Sequence, residues 1–300
     1  MIKSFRILFF LLYSSTHLLL AQAPTDLWVL DTHGKGGKLS LDLTTAKPLT
    51  NRKFYDNQPS FINDSELVFS AADEKGNHDI ILYSFRTGNF SNLTQTPDRS
   101  EYSPAITDCR QYISAVVVEP DGTQRLWLYP IVEEPAELLY DDIAPVGYYD
   151  WVDNKGALFV LGNPNKLVYA KGKGDLLEIA TQVGRSIKKR PKKWEITYIS
   201  TEESSRDKEK NTYRIFGYDL KKNKSKQYGL TVPESQDLIW IDKNHLLMAH
   251  GNEFFIKEKN SNEWKSLGQV SSDTHSTVSR LAYSPDLNKL IFVMNRNQTQ

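Results

Sequence analysis

Cysteine is nearly missing from this chain: Cys109 stands alone among 300 residues. An intrachain disulfide framework is therefore excluded. Cys109 lies in the turn Thr107-Asp108-Cys109-Arg110, with no histidine near it in sequence to activate the thiol. There is also no excess charge of either sign, since 37 Lys and Arg balance 37 Asp and Glu. That excludes a general nucleic-acid or anionic-membrane binder, which depends on a basic surplus. After the first 23 residues there is no long hydrophobic run and no helical period. Catalytic signatures are missing as well: neither a G-x-S-x-G elbow nor an H-E-x-x-H pair occurs. Gly34-Lys35-Gly36-Gly37-Lys38 has neither the spacing nor the following helix of a phosphate loop, and reads as a strand connection. The histidines beyond residue 23 are His33, His78, His245, His250 and His275. His245 and His250 fall in one strand and its loop and should point to opposite faces, so no metal site and no cofactor is expected.

What is present begins with a charged and apolar N-terminus. Lys3 and Arg6 precede Ile7-Leu8-Phe9-Phe10-Leu11-Leu12, the run reaches Leu18-Leu19-Leu20, and Ala21-Gln22-Ala23 follows. This pattern predicts a cleaved signal peptide over 1–23, a mature chain over 24–300 and a periplasmic or secreted location. An uncleaved anchor is the alternative. Ser14, Ser15, Thr16 and His17 interrupt the run, leaving it short of the roughly 20 apolar residues of a spanning helix. No transmembrane segment is expected after cleavage.

The mature chain is built on a repeat. One copy reads Asn57-Gln58-Pro59-Ser60-Phe61, then Leu67-Val68-Phe69-Ser70, Asp79-Ile80-Ile81-Leu82-Tyr83 and Asn92-Leu93-Thr94. The next reads Tyr102-Ser103-Pro104-Ala105-Ile106, Tyr112-Ile113-Ser114-Ala115-Val116, Arg125-Leu126-Trp127-Leu128-Tyr129 and Glu137-Leu138-Leu139. Four short strands recurring about every 40–45 residues is the period of a propeller blade. Further copies occupy about 146–184, 185–232 and 235–272. The chain opens on a half unit at 25–50 that matches strands three and four. It closes on Ser279 to Asp286 and Lys289 to Val293, which match strands one and two. Joined, the two halves complete one blade. The expected fold is thus an all-β, six-bladed β-propeller over 24–300, closed by a blade that both termini share.

Pro59-Ser60-Phe61 with Asp64, Glu101 with Pro104 and Asp108, and Tyr283-Ser284-Pro285-Asp286 resemble the E-x-x-P-x-[FW]-S-P-D-G start of the TolB-type propeller repeat. Gly76-Asn77-His78-Asp79-Ile80 with Leu93-Thr94 is similar to its second half, G-x-x-[DE]-I-[YW] followed by L-T. The resemblance is sharpest over 50–130 and 277–293, and it implies a scaffold rather than a chemistry. The reading expects a propeller alone, without the α/β domain that precedes TolB's own propeller or the hydrolase domain of the prolyl-peptidase family.

A propeller brings the start of every first strand to its central channel. The candidate binding residues there are Asp56, Asn57, Glu101, Tyr102, Tyr148, Tyr149, Arg185, Asp237 and Arg280, with Gln58, Gln236 and Thr277 beside them. They mix aromatic, amide, acidic and guanidinium groups, as recognition sites do. The plainer alternative is that Glu101 and its equivalents only satisfy backbone N–H groups. The basic run Arg185 to Lys193 is read as a solvated hairpin, offset by Glu202, Glu203, Asp207 and Glu209, in preference to an anion site. The functional reading is an exported, protein-binding module of the cell envelope whose partner is an envelope or surface protein. The alternative is a hydrolase or lyase acting on polysaccharide or peptide with residues spread around the channel.

Overall fold

The structure, a computed structural model, describes residues 23–297. The expected signal peptide therefore lies outside the described residues, apart from Ala23. Six small antiparallel sheets form a ring. Blade 1 is Asp56–Phe61, Glu66–Ala72, His78–Ser84 and Phe90–Asn92. Blade 2 is Ser100–Ile106, Tyr112–Val118, Gln124–Pro130 and Glu137–Leu138. Blade 3 is Val146–Val152, Lys155–Val160, Lys166–Gly172 and Asp175–Thr181. Blade 4 is Val183–Lys189, Glu195–Ser200, Thr212–Asp219 and Lys224–Leu230, with Arg206–Asp207 as a short extra strand on its third. Blade 5 is Leu238–Trp240, His245–His250, Glu253–Glu258 and Lys265–Gln269. Blade 6 takes His275–Ser284 and Lys289–Arg296 from the C-terminus and Thr25–His33 and Ser40–Pro48 from the N-terminus. The shared blade is thus real, with Thr25 facing Asn295 and Asp31 facing Lys289 across the join.

Each innermost strand packs on the innermost strand of the next blade, all the way round. The core is correspondingly divided into six apolar clusters, one in each gap between blades. Glu66–Ala72 shows why its sequence reads as a continuous apolar run. Leu67, Phe69 and Ala71 face blade 6, while Val68 faces blade 2. A middle strand covered on both faces has no solvent side to make polar. Polar ties cross the same gaps: Trp151 Nε1 donates to Ser114 Oγ at 2.9 Å, and Trp240 Nε1 to Thr197 Oγ1 at 3.0 Å. Among the described residues the only helical turns are Gly36–Lys38 and Glu203–Ser205, both 3₁₀. The first is not a loose connection. A Cβ on Gly36 would meet Asp242 Oδ2 at 2.8 Å, so the backbone lies close against blade 5.

Candidate functional site

The innermost strands do not pair regularly with their neighbours. Register breaks fall between Asn57 and Ser60, Tyr102 and Ala105, Val146 and Tyr148, Val183 and Ile187, and on both sides of Val278. Blade 5 instead has an innermost strand of only three residues. Such bulges bend a strand and re-aim its side chains. In blades 1 and 2 the bulged residues, Gln58 and Ser103, have φ of 58° and 52°. Both precede a proline, whose ring disfavours the right-handed helical region for the residue before it. The Ser103 N–H donates to Gln58 Oε1 at 2.7 Å and links the two bulges.

These irregularities surround a cavity of about 220 Å³ on the channel, with every blade in its wall: Gln58, Ser103, Tyr148, Arg185, Asp237 and Arg280. Asp237 is its electrostatic centre. The Arg185 Nε donates to Asp237 Oδ1 at 3.1 Å, and a second Arg185 nitrogen pairs with Oδ2. Arg280 from blade 6 pairs with the same carboxylate. The Arg280 guanidinium also lies 5.5 Å from the centre of the Tyr148 ring, with a nitrogen 3.4 Å from the Tyr148 hydroxyl. Burial works against the Arg280 charge, and Asp237 with the Tyr148 and Tyr55 rings more than offsets it, so its pKa is raised. Two guanidiniums therefore share one carboxylate. Lys188 adds a third cation to the wall, and Asp150 is tied up by the backbone N–H groups of Trp151 and Lys189, both at 2.7 Å. The channel is left with more donors than protein acceptors, in the fork geometry that suits a carboxylate or phosphate.

The nine candidate residues separate into four groups. Tyr148, Arg185, Asp237 and Arg280 converge on the cavity. Tyr149 lines it too, but its hydroxyl donates inward to the Ser103 carbonyl at 2.8 Å and lies 2.9 Å from Ser114 Oγ. Tyr102 belongs to an aromatic stack at the seam of blades 1 and 2. Its hydroxyl is 3.0 Å from His78 Nδ1, and the His78 ring centre is 4.6 Å from that of Tyr102 and 5.3 Å from that of Tyr55. Burial lowers the His78 pKa and raises those of both phenols, so the stack is uncharged. Asp56, Asn57 and Glu101 are buried between strands. Asp56 pairs with Arg52, and the Asn57 amide donates to Thr25 Oγ1 at 3.3 Å. Glu101 Oε1 accepts from Thr96 Oγ1 at 2.6 Å and from the Tyr129 hydroxyl at 3.0 Å. Burial pushes its pKa to about 7, against those two hydrogen bonds.

Ser103 and Lys188 are wall residues that strand-start reasoning misses. Ser103 was findable, because it stands before Pro104 as Gln58 stands before Pro59. Lys188 was not: three positions from Arg185, it belongs on the opposite face of a regular strand, and only the bulge brings both to one cavity. Among the described residues no group of three or more His, Cys, Asp or Glu side chains is placed to hold a metal ion. None of the described helical turns is long and apolar enough to cross a membrane.

Comparison with known proteins places this arrangement among the TolB-like propellers by fold. No family model matches the chain, and no curated protein matches it. Solved structures do match. A TolB-designated protein from Agrobacterium tumefaciens aligns with a TM-score of 0.64 at 9% identity, over 93% of this chain and 100% of that one. A chain of a nidogen/laminin complex aligns with a TM-score of 0.60 at 10% identity, over 86% of this chain and 97% of that one. TolB from Acinetobacter baumannii aligns with a TM-score of 0.51 at 14% identity over 71% of this chain, and the match spans 55% of its own length. At these identities the likeness is one of fold, a TolB-like β-propeller.

Proposed function

We propose that the mature chain, 24–300, is an exported interaction module of the cell envelope whose channel takes an acidic group of an envelope or surface protein. The observation that carries this reading is the pair of guanidiniums, Arg185 and Arg280, sharing the single carboxylate of Asp237 in a cavity walled by all six blades. The cavity's size supports a protein partner. At about 220 Å³ it is smaller than the ~300–1,000 Å³ of sites that enclose a whole small molecule. It suits the tip of an acidic side chain or a chain terminus presented by a larger body. The enzyme alternative asks for a free acid or base in the channel. Asp237 is engaged by both arginines, Asp150 by two backbone N–H groups, and Glu101 lies behind the channel wall against Thr96 and Tyr129. Among the described residues this leaves Lys188 as the one carboxylate or amine of the wall that the alternative could use. TolB and the nidogen/laminin complex lend support only as examples of the scaffold.

The test is affinity capture from envelope extracts on immobilised wild-type protein and on the Arg185→Ala/Arg280→Ala variant. Partners held through the channel should fall at least about tenfold in recovery with the variant, the loss expected for one charge-assisted contact. Equal recovery of every protein by both forms, with both forms folded by circular dichroism, overturns the channel reading.

A further inference from the structure

The basic run Arg185 to Lys193 is only partly neutralised: Arg185, Lys189 and Arg190 pair with Asp237, Asp108 and Glu195, while Lys192 and Lys193 have no carboxylate partner among the described residues. The acids expected to offset it sit in the loop between the second and third strands of blade 4, where Glu203 pairs with Lys208 at 2.7 Å. The turn 190–194 joins the first and second strands, at the opposite end of the sheet. The two groups are a strand length apart and do not compensate each other.

The turn 190–194 and the turn between Thr212–Asp219 and Lys224–Leu230 come together instead, and the Leu220 N–H donates to the Trp194 carbonyl at 2.9 Å. Between them is a hollow of about 740 Å³ lined by eight Lys or Arg side chains and two carboxylates. Neither carboxylate is free. Glu195 Oε2 accepts from Arg190 at 3.0 Å, and its Oε1 accepts from the Tyr228 hydroxyl at 2.8 Å. Asp219 Oδ1 accepts the backbone N–H groups of Lys221 and Lys222, both at 3.0 Å. Lys192, Lys193, Lys224 and Lys226 have no carboxylate partner among the described residues. The pKa of Lys259 on the same wall is lowered by burial and by the nearby charges of Arg190 and Lys226, as a locally positive field requires. In a chain of zero net charge, so one-sided a patch is a concentrated feature.

Its centre is aromatic. Trp194 is 41% exposed, a large indole left open to solvent. Lys221 Nζ stands 4.6 Å from the indole centre. Trp194, Lys192 and Lys193 also border a second hollow of about 480 Å³, but Asp108 and Asp153 line that one, so an anionic ligand is directed to the basic hollow and the indole at its edge.

We propose that this face binds an acidic polysaccharide, with the C–H face of a sugar ring on Trp194 and its uronate carboxylates paired with Lys192, Lys193, Lys224 and Lys226. Other polyanions fit less well. Single-stranded nucleic acid is held on successive stacking platforms, and one aromatic is exposed here. A bilayer presents its charge on a broad flat surface, whereas the cations here line the walls of a hollow. A flexible acidic peptide has no rigid C–H face for the indole and loses more entropy on ordering. This site lies at the strand ends away from the interblade connections and does not depend on the channel reading.

Binding of alginate, a polyuronate, should be measured by biolayer interferometry at low and moderate salt, beside neutral dextran, polyglutamate, poly(dT) and phosphatidylglycerol vesicles. Wild-type protein should bind alginate and not dextran. Trp194→Ala should weaken alginate binding by about tenfold or more, and Trp194→Phe should retain most of it. Lys192→Ala/Lys193→Ala should flatten the salt dependence by about two ions, on the counterion-release argument. No binding to alginate overturns the proposal. So does binding that survives Trp194→Ala undiminished in a folded protein, or tighter binding to polyglutamate, poly(dT) or the vesicles than to alginate.

Discussion

Glu101 and Asp237 are acids at the starts of the innermost strands of blades 2 and 5, and their surroundings assign them different tasks. Asp237 faces the channel between two guanidiniums. Glu101 is fully buried, with Oε2 left without a hydrogen-bond partner in the protein. Its pKa rises from an ordinary 4.5 to about 7 because burial penalises the carboxylate. The folded state therefore holds the proton more tightly than the unfolded chain. The stability this contributes is fully present below pH 4.5 and is lost as pH rises through 7, amounting to roughly 3 kcal/mol. Urea unfolding of wild type and Glu101→Gln between pH 4 and 8 checks this. The wild type should lose stability relative to the variant across that window, and parallel profiles would show that the burial cost is not there. In the sequence, Glu101 and Asp237 looked alike as acids at strand starts. Which of them turns inward depends on the aligned Thr96 and Tyr129 on one side and Arg185 and Arg280 on the other, and those contacts span up to 52 residues.

Elements were legible to the extent that their pattern was regular. The apolar middle strands and the turns between them follow from alternation and turn chemistry. The bulges do not, because one inserted residue leaves composition unchanged while reversing which face each later residue occupies. That is why Arg185 and Lys188 share a wall against expectation. Blade 4 shows a second local device. Gly217, in the strand Thr212–Asp219, is covered by the Tyr228 ring of the neighbouring strand: a Cβ there would stand 2.4 Å from the ring and 2.8 Å from Glu195 Oε1. The ring is fixed by its hydroxyl's bonds to Glu195 and Arg190. Gly217→Ala should therefore cost about 1–3 kcal/mol by overpacking, read as a lower midpoint in urea. An unchanged midpoint would mean that Tyr228 is free to move.

At the scale of the whole molecule, stability depends on the blade that both chain ends build. Asp26, on the N-terminal strand and fully buried, gathers groups from both ends. Its Oδ1 accepts from the Arg52 N–H at 3.0 Å and Thr50 Oγ1 at 3.3 Å. Its Oδ2 lies 2.8 Å from His275 Nε2 and 2.6 Å from Arg296 Nε, the latter an ion pair out of line for a hydrogen bond. Lys289 pairs with Asp31 at 2.6 Å on the same join. Asp26→Asn should destabilise the protein by about 1–3 kcal/mol, since it leaves the partly buried Arg296 guanidinium without its counter-charge. A loss under about 1 kcal/mol in urea unfolding would show that apolar packing alone closes the ring. The sequence by itself determined the strand period, the split of one blade between the two termini and hence the six-bladed ring, because each follows from local pattern and simple counting. Only the tertiary structure decided which strand starts face the channel and that Lys192 and Lys193 are separated from the acids of the 201–211 loop by the length of a strand. It also brought Arg185 and Arg280, from two other blades, onto the carboxylate of Asp237. Those outcomes depend on bulges and on blades meeting around a closed ring, and neither is a property of residues adjacent in the chain.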